Sequence, residues 1–110
     1  MLELEHEQNA CILKVSGRID GSNAGEFQSK IQDSLPQDAS AVILDLNDLD
    51  YISSAGLRVI LLLAKNLKGK KGKLSMCSVS GPVKDVFTIS GFSAIIPTYD
   101  NRASALSASD

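Results

Sequence analysis

The residue pattern predicts an α/β fold, with residues 1–110 forming one domain around a mostly parallel sheet that has one antiparallel edge strand. Three observations carry this. Val42-Ile43-Leu44-Asp45-Leu46, led by Ala41, is a short, nearly continuous apolar run, as in a strand buried on both faces. Segments with helical spacing of apolar residues alternate with strand-like runs through the rest of the chain, which builds parallel sheets. The first two strand-like runs are separated only by Gln8-Asn9-Ala10, too short for a crossover, so they form a hairpin.

Taken in order, Leu2, Leu4 and His6 alternate with Glu3, Glu5 and Glu7, the period of a half-exposed strand. Cys11 to Ser16 is a second strand, and Gly17-Arg18-Ile19-Asp20-Gly21 breaks its pattern. Ala24, Phe27 and Ile31 share one helical face, with Leu35 a turn on; Asn23 and Glu26 have the spacing of a capping box, and Pro36 ends the helix. After the central strand comes a polar loop over residues 47–54. A second helix follows from Ala55 to Lys68, with Leu57, Ile60, Leu61, Ala64 and Leu67 on its core face. Lys73 to Val79 is the fourth strand. Gly81-Pro82 opens a third helix that Gly91 stops. Ile95-Ile96-Pro97-Thr98 reads as an edge strand, and Asp100 caps a last helix through Leu106, with residues 107–110 fraying. The order is β-β-α-β-α-β-α-β-α.

Composition excludes several functions. With 44% hydrophobic and 22% charged residues the 110-residue chain matches ordinary soluble domains. A net charge of −2, 5% aromatics and no tryptophan argue against a nucleic-acid surface. The longest unbroken apolar run, Val59 to Ala64, is far short of a membrane span, and Leu-Glu-Leu-Glu-His-Glu after Met1 lacks the features of a signal peptide. The expectation is a cytoplasmic protein without membrane insertion. Cys11 and Cys77 stand apart and His6 is the only histidine, so nucleophilic triads and zinc sites have little to draw on. The cysteines read as buried, reduced thiols. No catalytic residue, metal or cofactor is expected.

In a parallel sheet function gathers at the carboxyl ends of the strands. Three loops are expected to meet there: Gly17 to Asn23, Asn47 to Ser54, and Ser78 to Pro82. The second ends at a helix start, where free N–H groups and the dipole favour a negative group. Ser53 and Ser54 stand there; from spacing alone they are capping residues. Asp20 and Asp50 read as solvated turn aspartates, since no histidine or metal spacing supports a paired-carboxylate site. Lys65, Lys68, Lys70, Lys71 and Lys73 cluster at the carboxyl end of the second helix, which the dipole alone favours. A lipid or nucleic-acid patch is the sharper alternative.

The run Val42-Ile43-Leu44-Asp45-Leu46, followed by Leu49-Asp50-Tyr51-Ile52-Ser53-Ser54-Ala55-Gly56-Leu57-Arg58, resembles the signature of STAS domains, and among them the bacterial anti-sigma factor antagonists. That family has a loop of the form D-S-[ST]-G-L opening a helix. Gly17-Arg18-Ile19-Asp20 resembles its turn after the second strand. Residues 80–87 look like its third helix, and Ser90-Gly91-Phe92 like its turn toward the last strand. Four such motifs in the right order are specific together.

The resemblance implies a switch rather than an enzyme. Unphosphorylated, such a protein binds an anti-sigma factor that is also a serine-protein kinase of the histidine-kinase-like ATPase type. Phosphorylation of one serine at the start of the second helix breaks the complex, and a phosphatase is a further candidate partner. Carried over, the phosphoacceptor is Ser54, with Ser53 as runner-up. The partner surface is Asp20, Gly21, Ser22, Asn23, Ser53, Ser54, Ala55, Gly56, Leu57, Arg58 and Ser80. The sequence departs from the family at Ser53, where Asp is usual, at Ala55, where a small polar residue stands, and at Arg58, often Gly. The alternative is a STAS-type subunit of a lipid or anion transport assembly that is not phosphorylated.

Overall fold

A computed structural model describes residues 1–109. Its strands are β1 (Leu2–Glu7), β2 (Ala10–Ile19), β3 (Ala41–Ile52), β4 (Lys73–Cys77) and β5 (Thr98–Tyr99). Its helices are α1 (Ala24–Ser34), α2 (Ser54–Gly69), α3 (Gly81–Ile89), α4 (Phe92–Ile95) and α5 (Arg102–Ser109). The five strands lie in the order β1-β2-β3-β4-β5. β1 runs antiparallel to β2, and the other pairs are parallel. This is the α/β sheet the sequence predicts.

The main core lies on one face of the sheet. There Phe27 and Ile31 of α1 and Leu57, Ile60, Leu63 and Leu67 of α2 share a cluster with Leu13, Val15, Leu44 and Leu46 from the strands and Phe87 of α3. The helix faces expected from spacing are largely the buried ones. Leu35, Leu61 and Ala64 are exceptions: they are half-buried, whereas Val59 and Leu63 are buried. α5 covers the other face, where Ala105 and Leu106 pack with Ala10, Ile12, Ile43 and Cys77. Both cysteines are free and buried, and burial pushes both thiols up from their ordinary pKa.

Several boundaries differ from the sequence reading for identifiable reasons. β2 continues to Ile19 and β3 to Ile52, so residues 47–52 are strand rather than loop. From Lys14–Asp45 to Ser16–Asp48, β3 takes three steps against two on β2; from Gly17–Leu49 to Arg18–Tyr51 it takes two against one. These irregularities break the period-two alternation that marks a strand in sequence, and the exposed Asn47, Asp48 and Asp50 then look like a loop. The fourth strand stops at Cys77 rather than Val79.

Residues 92–95 form the one-turn helix α4, and β5 is only Thr98–Tyr99. The expected strand at 95–98 is therefore displaced: Gly91, at φ 83°, turns the chain directly into another helical turn. The last helix is capped by Asn101, whose Oδ1 accepts from the Ser104 N–H at 2.8 Å, not by Asp100, and it extends to Ser109. Fraying expected at residue 110 falls outside the described residues.

Candidate functional site

β3 runs past the end of its pairing with β4 at Asp45 and stays paired with β2 as far as Ile19–Ile52. The β2–β3 pair thus forms a tongue that carries the start of α1 and the start of α2 side by side. The Ser53 N–H donates to the Ile19 carbonyl at 2.8 Å, tying the two strand ends together. Ser53 caps α2: its carbonyl accepts from the Leu57 N–H at 2.9 Å, and its hydroxyl accepts from the Gly56 N–H at 3.5 Å. Ser54 follows as the first helical residue, exposed to solvent.

Gly56 explains how the helix can start so close to the sheet. A Cβ there would stand 2.7 Å from both Ile19 Cγ2 and Ile52 Cγ1, closer than side-chain carbons approach. Leu57 turns inward to the core, whereas Ala55 is half-buried and Arg58 is exposed. No acidic residue lies in the first turn of α2.

The neighbouring loop is held by its own side chains. Asp20 Oδ1 accepts from the Ser22 N–H at 2.9 Å and from the Ser22 hydroxyl at 2.6 Å. Those bonds, the hydroxyl's first, hold the Asp20 carboxyl below the usual carboxylate range, and the Arg18 charge adds to the effect. Asn23 Oδ1 accepts from the Asp20 N–H at 2.8 Å, and its Nδ2 donates to the Arg18 carbonyl at 2.8 Å. Asn23 therefore braces the turn and makes no side-chain bond to α1, so the capping box with Glu26 does not form. Gly21 is exposed between these groups.

The structure thus brings together Asp20, Gly21, Ser22 and Asn23 with Ser53, Ser54, Ala55, Gly56, Leu57 and Arg58. Ser80 stands apart from this bonded set. The end of β4 lies opposite Asp45, seven residues before Ile52, and Ser80 caps α3 without a side-chain bond. Two of the three loops are joined by the Ser53–Ile19 hydrogen bond, and among the described residues no hydrogen bond ties the third to them.

Two groups escaped sequence reasoning. The Arg18 guanidinium lies 4.3 Å from the centre of the Tyr51 ring, a cation–π stack on the exposed side of the tongue. Arg102 donates to Asp45 Oδ2 at 2.8 and 3.2 Å and also reaches Glu5 and Glu7. Asp45 is 6% exposed, so this arginine neutralises a buried carboxylate. Only the acidic residue inside an apolar strand signalled it.

Comparison with known proteins now bears on this geometry. The sequence matches the STAS domain family over residues 1–105. It is 37% identical over 107 residues to BtrV of Bordetella bronchiseptica, which bears the name of an anti-sigma factor antagonist; the match covers 97% of this chain and 92% of that protein. It is 30% identical over 106 residues to the anti-sigma F factor antagonist of Paenibacillus polymyxa, covering 96% and 91%. The fold superposes on an anti-sigma factor antagonist from Mycobacterium paratuberculosis with a TM-score of 0.88 at 22% identity, covering 99% and 92%. The family match over residues 1–105, with a relative 37% identical over nearly the whole chain, places this protein in the STAS domain family.

Proposed function

We propose that this chain is an anti-sigma factor antagonist that works by partner switching. Unphosphorylated, it binds a kinase-type anti-sigma factor through the tongue and the start of α2; phosphorylation of Ser54 releases it. The observation that carries this reading is the division of labour between adjacent serines. Ser53 is committed, its hydroxyl turned to the Gly56 N–H and its own N–H bonded to Ile19. Ser54 is exposed on the first turn and has no acidic neighbour within that turn. A kinase needs such a hydroxyl, and a helix N-terminus accommodates the phosphate.

On this reading the chain is a regulator with no chemistry of its own that works in the cytoplasm, where an anti-sigma factor acts. Among the described residues no helix is long and apolar enough to cross a membrane. The curated relatives named as anti-sigma factor antagonists favour this reading over a transport subunit. A phosphatase would reset the switch.

Incubating wild type, Ser53→Ala and Ser54→Ala with the cognate kinase and ATP tests the assignment by mass spectrometry. A gain of about 80 Da, one phosphoryl group, is expected in wild type and Ser53→Ala and not in Ser54→Ala. A gain that persists in Ser54→Ala and vanishes in Ser53→Ala overturns it. No gain in any of the three returns the chain to the transport-type reading.

A further inference from the structure

The lysine cluster is not absorbed by the proposed switch. From Tyr51 to Lys84 the chain carries seven of its eleven basic residues and none of its thirteen acidic ones. Lys65, Lys68 and Lys73 are exposed and form no ion pair among the described residues. The helix dipole accounts for basic residues in the last turn of α2, but Lys73 belongs to β4 and the dipole says nothing of what lies between them.

What lies between them is a groove of about 560 Å³. Its floor is Leu61 and Ala64 of α2, Leu74 of β4, and Ile96 and Pro97 after α4, with Ile95 at the lip. Ile95 is 62% exposed and adds apolar surface at the edge of the groove. The three lysines belong to the same lining, and side chains of this kind can lay their stems along apolar surface while keeping the ammonium group in water. The volume lies in the range of about 300–1,000 Å³ typical of small-molecule sites. The groove is remote from Ser54: Lys68 is fourteen residues further along α2, about 21 Å at 1.5 Å per residue.

We infer that this groove binds a single-chain amphiphile with a carboxylate head, a long-chain fatty acid. The apolar floor takes the chain and the lysines take the head. The half-burial of Leu61 and Ala64 on α2 then has a function: they form the floor of a site. Charge complementarity selects the occupant, because uncompensated cations around an apolar cleft disfavour a neutral or cationic ligand.

The test is an amide-shift NMR titration of the full chain with sodium dodecanoate below its micelle concentration. Saturable shifts centred on Leu61, Ala64, Leu74 and Ile95 are expected. Decanoate, two methylenes shorter, should bind about 15-fold more weakly, since each buried methylene is worth roughly fourfold. Dodecyltrimethylammonium, with the same chain and opposite charge, should bind at least tenfold more weakly. Lys65→Glu/Lys68→Glu should lose at least tenfold in dodecanoate affinity, whereas Lys84→Glu, outside the groove, should lose none; circular dichroism checks that both variants fold. Equal binding of the cationic amphiphile, or diffuse non-saturable shifts, overturns the proposal. Binding to phosphatidylglycerol vesicles without dodecanoate binding also overturns it, and makes the patch a membrane-docking surface. Shifts at these residues from a synthetic amphipathic Glu/Leu helix alone overturn it in favour of an acidic partner segment.

Discussion

Gly56 shows how far a single position can depend on its surroundings. In an exposed helix, glycine is about 1 kcal/mol worse than alanine, so Gly56→Ala ought to stabilise α2. Here the new methyl group would meet Ile19 and Ile52 at 2.7 Å, and both isoleucines are buried in the core, at 0% and 2% exposure. Neither has room to retreat. Overpacking of this kind costs about 1–3 kcal/mol, which exceeds the helical gain. Gly56→Ala is therefore expected to lower stability in denaturant unfolding, and a variant as stable as wild type would show that α2 can lift from the strand ends without cost. Sequence alone gave Gly56 a place in a motif but no reason for it. The reason lies in contacts from two strands far apart in the chain. Asn23 teaches the converse: its spacing to Glu26 fitted a capping box, yet its amide braces the Asp20 turn instead, because one side chain can serve only one set of partners. Ser53 was legible as a cap from position alone, and its hydroxyl does accept a helix N–H.

At the scale of elements, helix faces were more legible than strand ends. A helix buries one stripe, so Phe27, Ile31, Ile60 and Leu67 announce themselves by spacing. The tongue was hidden because register irregularities in β3 scatter its buried positions. α5 was expected from the sequence, but what holds it was not: apart from Ala105 and Leu106 it has little apolar surface to bury. Arg102 supplies the missing attachment, linking α5 to Glu5 and Glu7 on β1 and to Asp45 on β3. The guanidinium is held charged well above its ordinary range, first by Asp45 and then by Glu5. Arg102→Ala removes the charged partner of buried Asp45, to which the Asn47 N–H still donates. The expected cost is about 2–4 kcal/mol, less than for a fully buried pair because Arg102 keeps 26% of its side chain in solvent. Hydrogen exchange should show α5 opening first. Full protection of α5 in this variant would mean that Ala105 and Leu106 anchor the helix unaided.

Across the whole molecule, a net charge of −2 conceals two unlike ends. The tongue carries Asp20 and Asp50 beside the hydrogen-bonded turn, whereas the far end of α2 carries the lysines. A charge change at Ser54 therefore acts on the first end alone, some 20 Å from the second by helical rise. Two consequences separate. A negative group at the first position of α2 stabilises the helix by about 0.3–1 kcal/mol, which raises the melting temperature by a few degrees at most in a domain of this size. The same group, one residue from the Ser53–Ile19 link, adds negative charge where we place the partner interface, and like-charge contacts with a partner there cost several kcal/mol. Ser54→Asp should thus bind the anti-sigma factor at least tenfold more weakly, about 1.4 kcal/mol, while melting no lower than wild type. Aspartate carries one charge against the roughly 1.5–2 of a phosphate, so the phosphorylated protein should be weaker still. Calorimetric titration and thermal unfolding on the same sample decide it. Lost binding together with a melting temperature lowered by more than about 5 °C would make the effect a loss of fold rather than of charge match, and the start of α2 would then be a structural hinge instead of a switch.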